Sequence, residues 1–126
     1  MNAADTNVLV RLMVRDDPLQ TAVAGRFVES GVWISTLVLA EATWVVRSVY
    51  RRSASELAAT VEMLLNEKHV TLEDPPVVEA ALGLFRSRPA LKFSDCLILQ
   101  LAKKAGHLAL GTFDRELGKI PGTQGL

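Results

Sequence analysis

Short apolar runs alternating with longer amphipathic segments limit most tightly what this chain can fold into. Val32-Trp33-Ile34 reads as a buried strand, and a helix pattern follows from Thr36 to about Arg51. His69-Val70-Thr71-Leu72 is strand-like, and Asp74-Pro75 then opens a helix reaching about Ser87. A helix starting at Ser94 or Asp95 runs to Ala105, Gly106 stops it, and Leu108-Ala109-Leu110 reads as the next strand. Residues 2–5 suggest a short first strand, although Asn2-Ala3-Ala4 is weak strand material. Strands separated by helices indicate a parallel sheet, because a parallel pair needs a crossover. In such sheets functional sites form beyond the carboxyl ends of the strands.

Local chemistry supplies the remaining boundaries. Val8-Leu9-Val10 and Leu12-Met13-Val14 read as a short helix broken by Arg11. Asp17 is placed to cap a helix with Pro18 at its first position, ended by Gly31. Ser53 and Glu56 form a capping-box pattern ahead of Leu57, Val61, Leu64 and Leu65, which share one helical face. Phe113 to Lys119 reads as a short helical piece, Pro121-Gly122 as a turn, and the tail as a last edge strand. No linker or repeat divides the 126 residues, which read as one domain.

The 14 basic and 14 acidic residues cancel, so the overall field gives no sign of nucleic-acid binding, and any such contact must come from local basic patches. Cys96 is the single cysteine, which excludes an internal disulfide and suits a reducing compartment. The first residues lack the basic start and apolar run of a signal peptide, and no stretch reaches the ~18–20 apolar residues of a membrane span. The expected location is the cytoplasm, with no membrane partner.

Four acids stand in unusual places. Glu41 is the only charged residue between Ser30 and Val46, and its helical neighbours Leu37, Val38, Trp44 and Val45 are all apolar. It therefore projects from a surface expected to be buried, where an isolated carboxylate is costly. Asp5 closes the first strand, Asp95 opens a helix, and Asp114 follows the last strand. Each has a plain alternative: an exposed or Arg-paired Glu, helix N-caps, a turn residue. Together they pose an electrostatic problem if they converge. Two carboxylates ~4 Å apart repel by roughly 4 kcal/mol at an effective dielectric near 20. Shared protons or a hard cation such as Mg²⁺ or Mn²⁺ would relieve that repulsion. Other chemistries fit poorly: His69 and His107 lack ligand spacing, no Gly-rich phosphate loop is present, and Cys96 reads as a core residue.

Four ordered segments carry a family resemblance across nearly the whole chain: Asp5-Thr6-Asn7-Val8-Leu9-Val10-Arg11, Ile34-Ser35-Thr36-Leu37-Val38-Leu39-Ala40-Glu41, Phe93-Ser94-Asp95 and Thr112-Phe113-Asp114. The chain resembles a PIN domain, and its small size resembles the VapC-type toxins of toxin–antitoxin pairs. The resemblance implies an α/β/α sandwich around a short, mainly parallel central sheet. It implies that Asp5, Glu41, Asp95 and Asp114 bind Mg²⁺ or Mn²⁺ and catalyse RNA hydrolysis, with Asn7 and Thr112 supporting the site by hydrogen bonding. The implied partners are RNA, a second copy of the chain, and a small antitoxin that blocks the site. The first strand is less apolar than relatives show, and Glu116 occupies a position where relatives vary.

Candidate phosphate contacts are Arg11 and Arg15 after the Asp5 turn, Arg47, Arg51 and Arg52 after the Glu41 helix, and Arg86, Arg88 and Lys92 before Asp95. The plain alternative for each is a solvated cation. Lys103-Lys104 read as complementing a helix end, and Asp16-Asp17 and Glu73-Asp74 as helix caps. Leu12, Met13, Val45 and Val49 read equally as core, dimer face or antitoxin groove. Three rivals remain. An aspartyl-nucleophile phosphatase usually wants a second Asp where Asn7 stands. A phospho-receiver domain needs an acceptor Asp after a third strand, and Thr71-Leu72-Glu73-Asp74-Pro75 matches that poorly. The third rival is a catalytically silent RNA- or protein-binding module.

Overall fold

A computed structural model describes all residues, 1–126. The chain forms two compact units, Met1–Pro75 and Pro76–Leu126. Every strand pairing in both is parallel.

The first unit holds β1 (Asn2–Ala3), α1 (Thr6–Val14), α2 (Pro18–Val28), β2 (Val32–Ile34), α3 (Thr36–Ser48), α4 (Ala54–Asn66) and β3 (Val70–Leu72). The strands pair in the order β1-β2-β3, with Ala3 opposite Trp33 and Ile34 opposite Leu72. The ladder runs slightly past the strands: Ala4 N–H donates to Trp33 O at 3.2 Å and Glu73 N–H to Ile34 O at 2.9 Å. The carboxyl ends of all three strands therefore lie along one edge and deliver Asp5, Ser35 and Glu73 there.

Helix starts follow from their caps. Asp5, Asp17, Ser35 and Ser53 each accept a hydrogen bond from a backbone N–H three residues on, and Ser53 and Glu56 form the reciprocal capping box. The buried stripe of α3 is Leu39, Ala42, Thr43 and Val46, and that of α4 is Leu57, Ala58, Val61 and Leu64. Both follow the three-and-four spacing of a helix packed on one side. Buried Thr43 satisfies its hydroxyl on Ala40 O at 2.8 Å.

Helix α1 runs unbroken through Arg11, where the sequence suggests a break. The Arg11 guanidinium leaves the apolar face, donates to Asp16 at 2.9 Å and to the Tyr50 hydroxyl at 2.9 Å, and lies over the Tyr50 ring. Arg15 ends this helix in the left-handed conformation, with its Nε donating to Leu12 O at 3.2 Å.

The second unit holds α5 (Pro75–Ser87, its first residue closing the first unit), α6 (Phe93–Ala105), β4 (Leu110–Thr112), a 3-10 turn at Leu117–Lys119 and β5 (Thr123–Gly125). Its core includes an edge-to-face contact of Phe85 with Phe93, ring centroids 5.5 Å apart. Gly106 ends α6 at φ 82, which a residue lacking Cβ adopts without strain. Strand β4 lies two residues later than the Leu108–Leu110 pattern suggests. Its partner decides this: Leu110 pairs with Thr123 and Thr112 with Gly125. Leu108 and Ala109 are exposed and unpaired in the sheet.

Candidate active site

In the first unit the site is built on the carboxyl edge of the sheet. Asp5 is exposed, and its Oδ1 accepts the Val8 N–H at 3.1 Å. The next residue, Thr6, donates its hydroxyl to Glu41 Oε2 at 2.6 Å. That bond ties the second turn of α3 to the turn carrying Asp5. The start of α3 is held by two further side chains. Ser35 Oγ accepts from Val38 N–H at 3.1 Å, and Glu73 Oε1, arriving from the end of β3, accepts from Thr36 N–H at 2.9 Å. A carboxylate there also complements the positive end of the helix.

Glu41 does not emerge from a buried surface, as its apolar neighbours suggest. It is exposed, Leu37 is 69% exposed and Trp44 55%, while Val38 and Val45 are half-buried. The apolar content of α3 exceeds the single stripe it buries, so Leu37 and Trp44 line the outer face while Val38 and Val45 flank the buried stripe. Asn7 is exposed and borders an apolar groove of about 660 Å³ beside Asp5, lined also by Val8, Arg11, Leu19, Val23 and Phe27.

In the second unit Asp95 lies in the first turn of α6 and is half-buried. Burial raises its pKa above the ordinary aspartate value, the Lys92 cation pulls it back, and the Asp114 carboxylate pushes it up again. Asp95 and Asp114 therefore share one electrostatic environment. Asp114 directs Oδ1 to the Leu117 N–H at 3.0 Å, and its own N–H donates to Thr112 Oγ1 at 3.0 Å. Thr112 thus holds the Asp114 backbone. Cys96, beside Asp95, is fully buried, and desolvation lifts its thiol to about 12, which leaves it an inert core residue. Arg88 and Lys92 are both exposed, and Lys92 occupies the position before α6. Arg11 is committed to Asp16 and Tyr50.

Asp5, Glu41 and Asp114 are met by neutral hydroxyl and backbone donors, each through one oxygen, which leaves the other to a ligand. Carboxylate oxygens suit hard cations, and Mg²⁺ binds through one or two carboxylates while keeping several waters. No three His, Cys, Asp or Glu side chains stand arranged as a metal-holding group. Within each unit, the one or two carboxylates with a spare oxygen suit a hydrated Mg²⁺ or Mn²⁺ rather than a closed cage.

Sequence reasoning passed over Thr6 and assigned Glu73 to its own helix. Both act on residues more than thirty positions away. The available signals were a hydroxyl directly after Asp5 and an acid directly after a strand.

A profile of the PIN domain matches residues 3–122. No curated protein matches the chain.

Proposed function

The chain belongs to the PIN-domain family, whose members are generally metal-dependent nucleases, and from that premise we propose that it is an Mg²⁺- or Mn²⁺-dependent endoribonuclease acting as the toxin of a toxin–antitoxin pair. One observation carries this reading: the Thr6–Glu41 bond brings Glu41 to the strand-end turn of Asp5, with no Arg or Lys in that contact. Acids held together by neutral donors keep their negative charge for a cation. Asp5, Glu41, Asp95 and Asp114 would hold the metal, which when bound lowers the pKa of a water and stabilises charge on phosphate oxygen. Thr6 and Thr112 fix the acids, and Asn7 borders the site. Arg88, Lys92, Arg11 and Arg15 are the candidate phosphate contacts. Arg11 serves less readily than the others because Asp16 already engages it.

The family match runs through both compact units, which supports reading residues 1–126 as a single functional domain. We place its action in the cytoplasm, and no helix is long and apolar enough to cross a membrane. Exposed Leu37 and Trp44 on α3, with Val49 just past its end, offer a face for a second copy. The groove flanked by Leu19, Val23 and Phe27 offers one for an antitoxin helix beside Asp5. The same apolar surfaces favour the second reading, a catalytically silent protein-binding module.

The test is cleavage of single-stranded RNA with Mg²⁺ or Mn²⁺ and an EDTA control, for the natural chain and Asp5→Asn. Metal-dependent cleavage lost in the folded variant supports the nuclease. Binding without cleavage supports the silent module. Toxicity on expression, relieved by the neighbouring gene and absent from Asp5→Asn, supports the toxin role.

A further inference from the structure

Phe113 is 85% exposed, more than any other large apolar side chain of the protein. It stands between two residues already placed at the site, Thr112 and Asp114. Its backbone is held on both sides. Thr112 ends β4 opposite Gly125, and its carbonyl accepts the Leu126 N–H at 2.9 Å. Asp114 N–H donates to Thr112 Oγ1 at 3.0 Å, and Asp114 O accepts from Gly118 N–H at 2.9 Å. The ring is therefore presented to solvent from a fixed turn rather than from a loose loop. Arg115 follows, also exposed.

We propose that Phe113 is a base-stacking platform on which a nucleobase of single-stranded RNA lies beside Asp114. The proposal rests on the ribonuclease reading and names how that site holds its substrate. A net charge of zero gives no bulk attraction for a polyanion, and the site acids repel phosphate. Stacking on an aromatic ring is indifferent to charge and works for every base. It requires a base free of a duplex, which selects single strands. Phe113, Asp114 and Arg115 in succession supply a base platform, a metal ligand and a phosphate cation.

The experiment uses a short single-stranded oligoribonucleotide carrying 2-aminopurine, whose fluorescence falls on stacking, titrated into the full chain bearing Asp5→Asn so that it stays intact. Quenching is expected on binding. Adding Phe113→Ala should weaken binding by ~5–150-fold, the range found for losing one base–aromatic stack, and remove the quenching. Phe113→Trp should keep both. In the cleaving chain Phe113→Ala should raise KM and leave kcat within about twofold, the signature of uniform binding. Circular dichroism confirms folding, which an exposed side chain should not disturb.

Unchanged binding and quenching in Phe113→Ala would overturn the proposal. So would equal loss in Phe113→Trp, or an effect confined to self-association with RNA binding intact, which would make Phe113 a protein contact. A natural chain that binds and quenches the oligonucleotide but cleaves nothing with either metal would end the nuclease reading and leave the stacking site standing.

Discussion

The Thr6 hydroxyl donates a 2.6 Å hydrogen bond to Glu41 Oε2, joining side chains 35 positions apart. A carboxylate on an exposed helix face has several rotamers, and this bond selects one. Removing an outer partner of a ligating group typically costs about 10–100-fold in metal affinity. Thr6→Val, which keeps shape and removes the donor, should weaken Mn²⁺ binding by about that factor, and Thr6→Ser should restore most of it. Calorimetric Mn²⁺ titration of the folded variants checks this. A Thr6→Val chain that binds Mn²⁺ as the natural one does would show that Glu41 needs no such anchor.

Glu73 is placed to hold the start of α3 from the end of β3. Loss of a helix-capping side chain costs about 1 kcal/mol. Glu73→Ala should lower stability by about that amount in a urea melt. Glu73→Gln should lose less, because its amide oxygen still accepts from Thr36 while its charge no longer complements the helix end. Equal loss in both variants would assign the whole effect to charge.

Much of this architecture is legible in local sequence, and what escapes is long-range. The caps at Asp17 and at Ser53 with Glu56 stand where their spacing puts them, and Val32–Ile34 is a strand with the bounds its pattern suggests. These features depend on neighbours within four residues. The position of β4 depends on β5, and the roles of Thr6 and Glu73 on residues brought near by the β1-β2-β3 sheet. Glu41 misleads for another reason. Apolar residues around it suggest burial, but a helix buries one stripe, and Leu37 and Trp44 lie outside it. Surplus apolar surface of that kind reads as core in the sequence and lies exposed in the structure.

Asp95 has a pKa raised first by burial and then by Asp114, against the pull of Lys92. The folded state therefore binds its proton more tightly than the unfolded chain does. Stability falls as pH rises from the unfolded aspartate value through the raised folded one, and the cost stays in full above it. Asp95→Asn should raise the melting temperature at neutral pH without added metal and flatten this acidic-side dependence. Mg²⁺ should stabilise the natural chain more than the variant. Thermal melts from pH 4 to 8, with Mg²⁺ and with EDTA, check both. A variant that melts lower than the natural chain in EDTA would show that Asp95 is structural.

Cys96 is 0% exposed, with its thiol lifted to about 12 by desolvation first and the Asp95 charge second. The thiolate is the reactive form, so at pH 8 it is scarce in the folded state, and the sulfur is also out of reach of a reagent. The native chain should leave a thiol-specific dye almost unreacted at pH 8, while the urea-unfolded chain reacts with one equivalent. Labelling of the native chain then reports opening of α6 around the site. Mg²⁺ bound at Asp95 should slow that labelling, because a ligand that binds only the closed state lowers the open population. Rapid labelling that Mg²⁺ leaves unchanged would separate the packing of Cys96 from metal binding at its neighbour.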